Sequence, residues 1–175
     1  MEYRAVLFDL FKTLITEWGH EKYTKNQMCA DLGIERAQFS HFWDELEAGY
    51  RLAIVSNCSF EEVRDLRGSV LAPYFNEIVL SCEVYKKKPN GDIYRETVKR
   101  LGVAVSECLF VGDGGSSELE GALAVGMGAV QARWYTNQYP IKRGNIEGVM
   151  AAEAPLEVLG KLNQTAGNDK FRDSC

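Results

Sequence analysis

Short apolar runs recur along the chain, and segments with helical periodicity separate them. Most of these runs are apolar at consecutive positions rather than at alternate ones, which is typical of strands buried on both faces. On this basis we predict six strands, at residues 4–8, 52–56, 77–80, 109–111 and 129–132 and a short one near residue 149.

Helical patterns fill the intervals between the predicted strands. The clearest is an apolar stripe at i, i+3, i+4 and i+7, made by Phe39, Phe42, Trp43 and Leu46. Capping residues predict further helices: one from Ser59 through about residue 67, one after Asn90 that ends at Gly102, one through Leu119 to about Gly126, and one opened by Pro155.

Strands that alternate with helices predict an α/β fold, here a three-layer Rossmann-like sandwich with a mainly parallel sheet and right-handed crossovers. A length of 175 residues with 46% hydrophobic content suits one core and at most a small appended unit. The carboxyl ends of parallel strands lie along one edge, so we expect Asp9, Asn57 and Asp113, which each follow a strand, to converge.

Charge and cysteine content narrow the classes of partner. A net charge of −5 and a pI near 5.2 argue against nucleic acid or an acidic membrane surface as a partner. The five cysteines lack the spacing of a metal site, which favours a reduced, cytoplasmic setting. We find neither a signal peptide nor an apolar stretch long enough to span a bilayer.

Residues at the carboxyl ends of the predicted strands, and in the loops that follow them, make a set suited to phosphoryl transfer. They are Asp9 and Thr13, Ser56 and Asn57, Lys88, and then Gly112, Asp113, Gly114 and Glu118. A phosphomonoester repels an attacking carboxylate, and a lysine together with a divalent cation offsets that repulsion. Mg²⁺ suits such an all-oxygen site.

In the order and content of these segments, the chain resembles the haloacid dehalogenase superfamily, over nearly its whole length. The resemblance implies a small phosphorylated metabolite as substrate and Asp9 as the nucleophile that forms an aspartyl-phosphate. It implies that Ser56 binds a phosphate oxygen with Asn57 beside it, and that Lys88 neutralises charge. It further implies Mg²⁺ bound by Asp9, the backbone carbonyl of Phe11 and Asp113, with Glu118 acting through metal-bound water and Thr13, Gly112 and Gly114 supporting the loops.

One departure from the family pattern bears on the chemistry. Most phosphatases that the chain resembles carry a second aspartate, a general acid/base, at the position of Phe11. Losing such a group typically costs about 10²–10⁴ in rate, so one reading is a phosphatase with weakened acid/base catalysis. A 2-haloacid-type dehalogenase is an alternative, although those enzymes tend to place neutral polar residues where Asp113 stands. A catalytically impaired protein that binds a phosphorylated ligand is another.

The second departure is the length of the insertion after the first strand. Only 47 residues lie between Asp9 and Asn57, too few for a full helical cap. We assign residues 1–14 and 49–175 to the core and residues 15–48 to a shortened helical cap, part of which could be the crossover helix. A continuous helix between Glu45 and Gly49 would indicate a small lid.

Overall fold

The computed structural model describes residues 2–16, 24–135 and 146–167. Within them the chain forms a parallel sheet of six strands: β1 (Ala5–Phe8), β2 (Arg51–Ser56), β3 (Glu77–Leu80), β4 (Cys108–Gly112), β5 (Gly128–Ala132) and β6 (Met150–Ala152). The helices are α1 (Lys25–Leu32), α2 (Arg36–Gly49), α3 (Ser81–Val84), α4 (Gly91–Leu101), α5 (Glu118–Val125) and α6 (Glu157–Gly167). None of these described helices is long and apolar enough to cross a membrane.

Each face of the sheet is covered by helices, which gives three layers. Along β1, Val6 and Phe8 belong to a core shared with α1, α2 and α6, whereas Ala5 and Leu7 belong to a core shared with α4 and α5. Successive strand residues point to opposite faces, so a strand buried on both faces must be apolar throughout. The prediction of a three-layer α/β sandwich is confirmed, and the first five strands end within one residue of their predicted bounds.

The strand order β3-β2-β1-β4-β5-β6 reverses direction between β1 and β4. All neighbouring strands pair in parallel, with Phe8 opposite Ile54 on one side and Val111 on the other. In open sheets of this kind, a crevice forms where the order reverses, outside the carboxyl ends of the strands. Asp9 and Asp113 both lie at that crevice.

Helix α2 lies on the sheet and leads directly into β2. It is continuous through Gly49, and Phe39, Phe42, Trp43 and Leu46 along its predicted stripe are fully buried in the same core as Phe8. This is the packing of a crossover helix. The assignment of residues 15–48 to a shortened cap stays a prediction, and residues 17–23 lie outside the described residues.

The helix predicted from Ser59 to about residue 67 is wrong. Its capping contacts do form, because the Ser59 backbone N–H donates to Glu62 Oε2 at 2.7 Å. The chain then continues as turns into a 3₁₀ helix at Leu66–Gly68. Val63 and Leu66 are both buried, and the Leu66 N–H donates to the Val63 carbonyl at 3.0 Å. Apolar contacts three residues apart suit this tighter helix and leave too narrow a stripe to hold an α-helix.

Candidate active site

Asp9 is fixed at the end of β1 by backbone and side-chain contacts. Its N–H donates to the Val111 carbonyl of β4 at 2.9 Å. The loop then turns back on itself, since the Lys12 N–H donates to the Ile15 carbonyl at 2.6 Å. This turn brings Thr13 over the nucleophile candidate, where its hydroxyl donates to Asp9 Oδ2 at 3.4 Å. The carboxylate of Asp9 is therefore nearly buried and held in one orientation.

Lys88 reaches the same point from the other side of the crevice. Its side chain is only 2% exposed, and its Nζ donates to Asp9 Oδ1 and, at 2.5 Å, to Glu118 Oε2. Burial alone lowers the pKa of Lys88, but the neighbouring Asp9 and Glu118 carboxylates outweigh burial and raise that pKa. The ammonium therefore stays charged between two acids. Lys86, two residues before Lys88, pairs instead with Glu96 at 3.0 Å.

Asn57 holds the backbone of the lysine loop. Its Nδ2 donates to the Lys88 carbonyl at 2.9 Å, and its Oδ1 accepts from the Lys88 N–H at 2.8 Å. The resemblance implied that Asn57 lies beside a phosphate ligand, yet its amide is engaged on both sides by Lys88. In this structure Asn57 holds the backbone of Lys88 in place.

Glu118 begins α5 and is completely enclosed. Besides Lys88, its carboxylate accepts from the Gly114 N–H at 3.1 Å. Burial raises the pKa of Glu118 to about 8, the Asp9 charge adds to the rise, and Lys88 opposes it. A Cβ on Gly112 would lie 2.2 Å from Glu118 Oε1, so only glycine leaves room for this carboxylate. Gly114 adopts φ 92°, a left-handed conformation that favours glycine.

Three carboxylates meet at the crevice. Asp9, Asp113 and Glu118 each offer one oxygen, and these oxygens lie within 4.8 Å of one another. Asp113 is partly exposed, and its Oδ1 accepts from the Gly115 N–H at 2.7 Å. Clustered carboxylate oxygens with one side open to solvent are the ligand set that a hard divalent cation prefers.

Ser56 and Phe11 are two further residues that the sequence analysis assigned to this site. Ser56 ends β2 and is fully buried, and its hydroxyl has no hydrogen-bond partner among the described residues. Such an orphaned hydroxyl costs free energy unless a ligand completes it. Phe11 is partly buried, and its backbone pairs with Ile15 in an isolated bridge. Its side chain is an aromatic ring and cannot donate a proton.

Three aromatic residues support the site in ways the sequence analysis missed. The Trp134 indole N–H donates to the Thr13 carbonyl at 2.8 Å, and the Tyr135 hydroxyl donates to the Leu14 carbonyl at 3.4 Å. The Tyr94 hydroxyl donates to the Glu118 carbonyl at 2.7 Å. Tyr94 lies in an apolar helical stripe, so the sequence pattern predicts a core residue and gives no sign of the hydrogen bond. The position of Trp134 and Tyr135 after the fifth strand was the only signal for the other two.

Helix α5 also touches the lysine loop directly. A Cβ built on Gly121 would lie 2.6 Å from the Pro89 carbonyl oxygen and 3.0 Å from Pro89 Cα. The backbone of α5 therefore packs against the residue that follows Lys88. The close approach keeps Glu118, on the same helix, within reach of the ammonium.

Comparison with known proteins agrees with this geometry. A family model described as a haloacid dehalogenase-like hydrolase matches residues 27–126, which include Ser56, Lys88, Asp113 and Glu118 but not Asp9. Two curated relatives are named glyceraldehyde 3-phosphate phosphatase. The one from Methanopyrus kandleri is 34% identical over 88 residues, and the one from Methanothermobacter thermautotrophicus is 32% identical over 83 residues. The aligned stretches cover 50% and 47% of this chain, but only 38% and 37% of those relatives.

Solved structures of the same family share the fold. The HAD-hydrolase YfnB of Bacillus subtilis superposes with a TM-score of 0.68 at 16% identity, over 93% of this chain and 100% of that one. A HAD phosphatase from Thermococcus onnurineus gives a TM-score of 0.61 at 22% identity, over 91% and 97%. The L-2-haloacid dehalogenase RSc1362 gives 0.65 at 15% identity, over 93% and 100%. The family match spans more than half of the chain, and the sheet and the acidic crevice agree with it, so this protein belongs to the haloacid dehalogenase-like hydrolases.

Proposed function

We propose that this protein hydrolyses the phosphate ester of a small metabolite through a phosphorylated Asp9. The observation that carries the proposal is the buried contact of Lys88 with both Asp9 and Glu118, beside a third carboxylate. The positive charge of the Lys88 ammonium, held between the two acids, offsets the repulsion that these acids would exert on a dianionic phosphoryl group. The names of the two curated relatives support a phosphate ester as the substrate class.

The donor set fits Mg²⁺. Three carboxylates face one ammonium, so the cluster keeps a net negative charge that a divalent cation offsets. We infer that Asp9, Asp113 and Glu118 hold the ion together with the backbone carbonyl of Phe11. When bound, Mg²⁺ supplies positive charge that shields the phosphoryl oxygens.

The residues of the chain divide the remaining work. Thr13 and Lys88 orient the Asp9 carboxylate, and one of its oxygens attacks phosphorus while the bond to the leaving oxygen breaks. The Ser56 hydroxyl, which lacks a partner among the described residues, donates to a phosphoryl oxygen. Water then attacks the phosphorus of the aspartyl-phosphate, releases inorganic phosphate and restores Asp9. Because Phe11 cannot protonate the leaving group, we expect substrates with good leaving groups to react fastest.

Hydrolysis of an aryl phosphate tests this proposal. We expect turnover with Mg²⁺, loss of turnover with a chelator, and recovery when Mg²⁺ is added back. Asp9→Asn is the matched control, since it keeps the size of the side chain but removes the nucleophile. Turnover that persists in Asp9→Asn, or that ignores the chelator, would contradict the proposal.

Phe11 favours one further candidate, a 2-haloacid-type dehalogenase, because that chemistry leaves a halide that needs no proton. The same residue would also suit a phosphate-binding protein with impaired catalysis. Asp113 and Glu118 argue against the dehalogenase, since they would repel a carboxylate substrate. Halide release from a 2-haloacid would support the dehalogenase. Tight binding of inorganic phosphate without aryl phosphate turnover would support the binding protein.

A further inference from the structure

Two cysteines contact each other at the same edge of the sheet as the acidic cluster. Cys58 Sγ and Cys82 Sγ are 3.8 Å apart, and both side chains are partly exposed. The other described cysteines, Cys29 and Cys108, are buried away from this pair. Neither the proposed hydrolysis nor the metal site uses the two thiols.

The chain brings the two cysteines together from neighbouring strands. Ser56 and Leu80 are paired at the ends of β2 and β3, and Cys58 and Cys82 each follow two residues later, Cys82 within α3. Their sulfur atoms already lie 3.8 Å apart, so a bond between them needs only a short further approach. The Cys58 N–H also donates to Ser81 Oγ at 2.9 Å, so the residue before Cys82 already holds the two loops together.

The pair is next to the residue that positions Lys88. Cys58 follows Asn57, whose amide binds both backbone groups of Lys88. Closing the sulfur–sulfur gap from 3.8 Å to the bonded length of about 2.05 Å brings Cys58 and Cys82, which lies in α3, closer together. Any part of this movement that the Cys58 backbone takes up is passed to the neighbouring Asn57 and to its two hydrogen bonds with Lys88.

We propose that Cys58 and Cys82 form a reversible disulfide that loosens the grip of Asn57 on the Lys88 loop. The disulfide itself is independent of the proposed phosphatase activity, and only its effect on turnover rests on that function. A partly exposed cysteine pair in an otherwise reduced protein is the kind that acts as a labile, regulatory site.

The oxidant is a peroxide. The Cys82 sulfur attacks hydrogen peroxide, an S–O bond forms, the O–O bond breaks, and the departing hydroxide takes up the thiol proton as water. Burial and the Cys82 thiol raise the pKa of Cys58 to about 12, which makes Cys58 a weak nucleophile, so it is the second of the two thiols to react. Its sulfur then displaces hydroxide from the Cys82 sulfenic acid, and its proton leaves with that hydroxide as water. Two thiols and one peroxide thus give one disulfide and two waters.

Mass spectrometry tests the bond directly. The full chain carries Cys175→Ser, because Cys175 lies outside the described residues and could link two molecules. After hydrogen peroxide we expect a species lighter by two hydrogens, which on alkylation takes up two fewer alkyl groups than the reduced protein. Trypsin should release peptides 52–64 and 68–86 as a linked pair that dithiothreitol separates. Cys82→Ser, or Cys58→Ser if the first variant fails to fold, should abolish the link, whereas Cys29→Ser should keep it. Absence of the link in the folded protein would overturn the proposal, whatever the phosphatase assay gives.

Hydrogen exchange tests the effect on the lysine loop. The Lys88 amide donates to Asn57 Oδ1, so we expect oxidation to speed its exchange by about tenfold and dithiothreitol to reverse the change. Cys82→Ser under peroxide should show no such change. A linked protein whose Lys88 amide exchanges at the reduced rate would overturn the coupling to Asn57. Neither measurement requires the protein to turn over a phosphate ester.

Discussion

The active edge of the sheet has two halves that differ in how their polar groups are partnered. The acidic half, after β1 and β4, contains Asp9, Asp113 and Glu118, whose carboxylates accept hydrogen bonds from Thr13, Lys88 or backbone N–H groups. The thiol half, after β2 and β3, contains Cys58 and Cys82 and carries Phe60 and Tyr85, 58% and 88% exposed.

The difference indicates which half is organised before any ligand arrives. Catalytic charges act best when their orientation is fixed in advance, and the acidic half shows such fixation. In the thiol half, Ser56 Oγ has no partner among the described residues, and the rings of Phe60 and Tyr85 are exposed. We therefore expect ligand binding or modification to alter the structure of this half more than that of the acidic half. Lys88 links the halves, since Asn57 holds its backbone and the acids hold its ammonium.

Lys88→Met breaks that link, and we expect the largest effect from it. It leaves two buried carboxylates facing each other without a cation, which should lower the free energy of unfolding by about 3–5 kcal/mol and remove phosphatase turnover. Urea denaturation without divalent cations measures the loss. Lys87→Met, in the same loop but exposed, is the matched control and should change little. Equal stability of the two variants would mean that the acidic half does not depend on Lys88.

Phe11→Asp tests whether a proton donor for the leaving group is all that the acidic half lacks for fast phosphate ester hydrolysis. If leaving-group protonation limits turnover, the added carboxyl should raise kcat about a hundredfold for an alkyl phosphate, whose leaving group is poor. Phe11→Asn is the control, because it has the same size as aspartate but cannot donate that proton. A folded Phe11→Asp variant that is no faster than Phe11→Asn would show that another step is limiting.

Gly112→Ala tests how closely the acidic half is fitted. The new Cβ would lie 2.2 Å from Glu118 Oε1, so this carboxylate must shift. We expect about a tenfold fall in kcat and a weaker response to Mg²⁺, since small displacements of positioned groups are costly. Gly49→Ala is the comparison, because nothing lies within 4 Å of its Cβ position. Unchanged kinetics in Gly112→Ala would argue against a fixed role for Glu118.

Trp134→Phe should have a smaller effect than any of these variants. It removes the indole N–H that donates to the Thr13 carbonyl but keeps an aromatic ring. One hydrogen bond is worth about 1 kcal/mol, so kcat should fall roughly fivefold with KM nearly constant. Tyr135→Phe removes the longer 3.4 Å bond to Leu14 and should change kcat less. The opposite order of effects would mean that Thr13 does not depend on Trp134.

The sequence predicted the sheet well because its signal is local. Buried strands such as β1 and β4 are uninterrupted apolar runs, and a parallel sheet brings their ends to one edge. The meeting of Asp9 with Asp113 follows from that rule alone. The capping signal at Ser59 was equally local, yet it predicted an α-helix that does not form. There the packing of Val63 and Leu66 decided the backbone conformation.

Contacts between residues far apart in the chain could not be predicted from a single sequence. Nothing near Asn57 indicates that its amide binds the backbone of Lys88, 31 positions away. The bond from Trp134 to Thr13 spans 121 positions and depends on where the loop after β5 ends. The fold decides which residues form such pairs. Residue type alone shows only whether a side chain can donate or accept a hydrogen bond.

Gly121 lowers the intrinsic stability of α5 but allows this helix to pack closely against the lysine loop. A glycine within a helix costs about 1 kcal/mol relative to alanine, and here it sits in the middle of α5. Alanine would strengthen the helix in isolation but would press against the Pro89 backbone, which has no flexible end to move aside. The missing methyl group therefore lets α5 lie directly against the lysine loop, and a more stable helix at this point would have to move away from that loop.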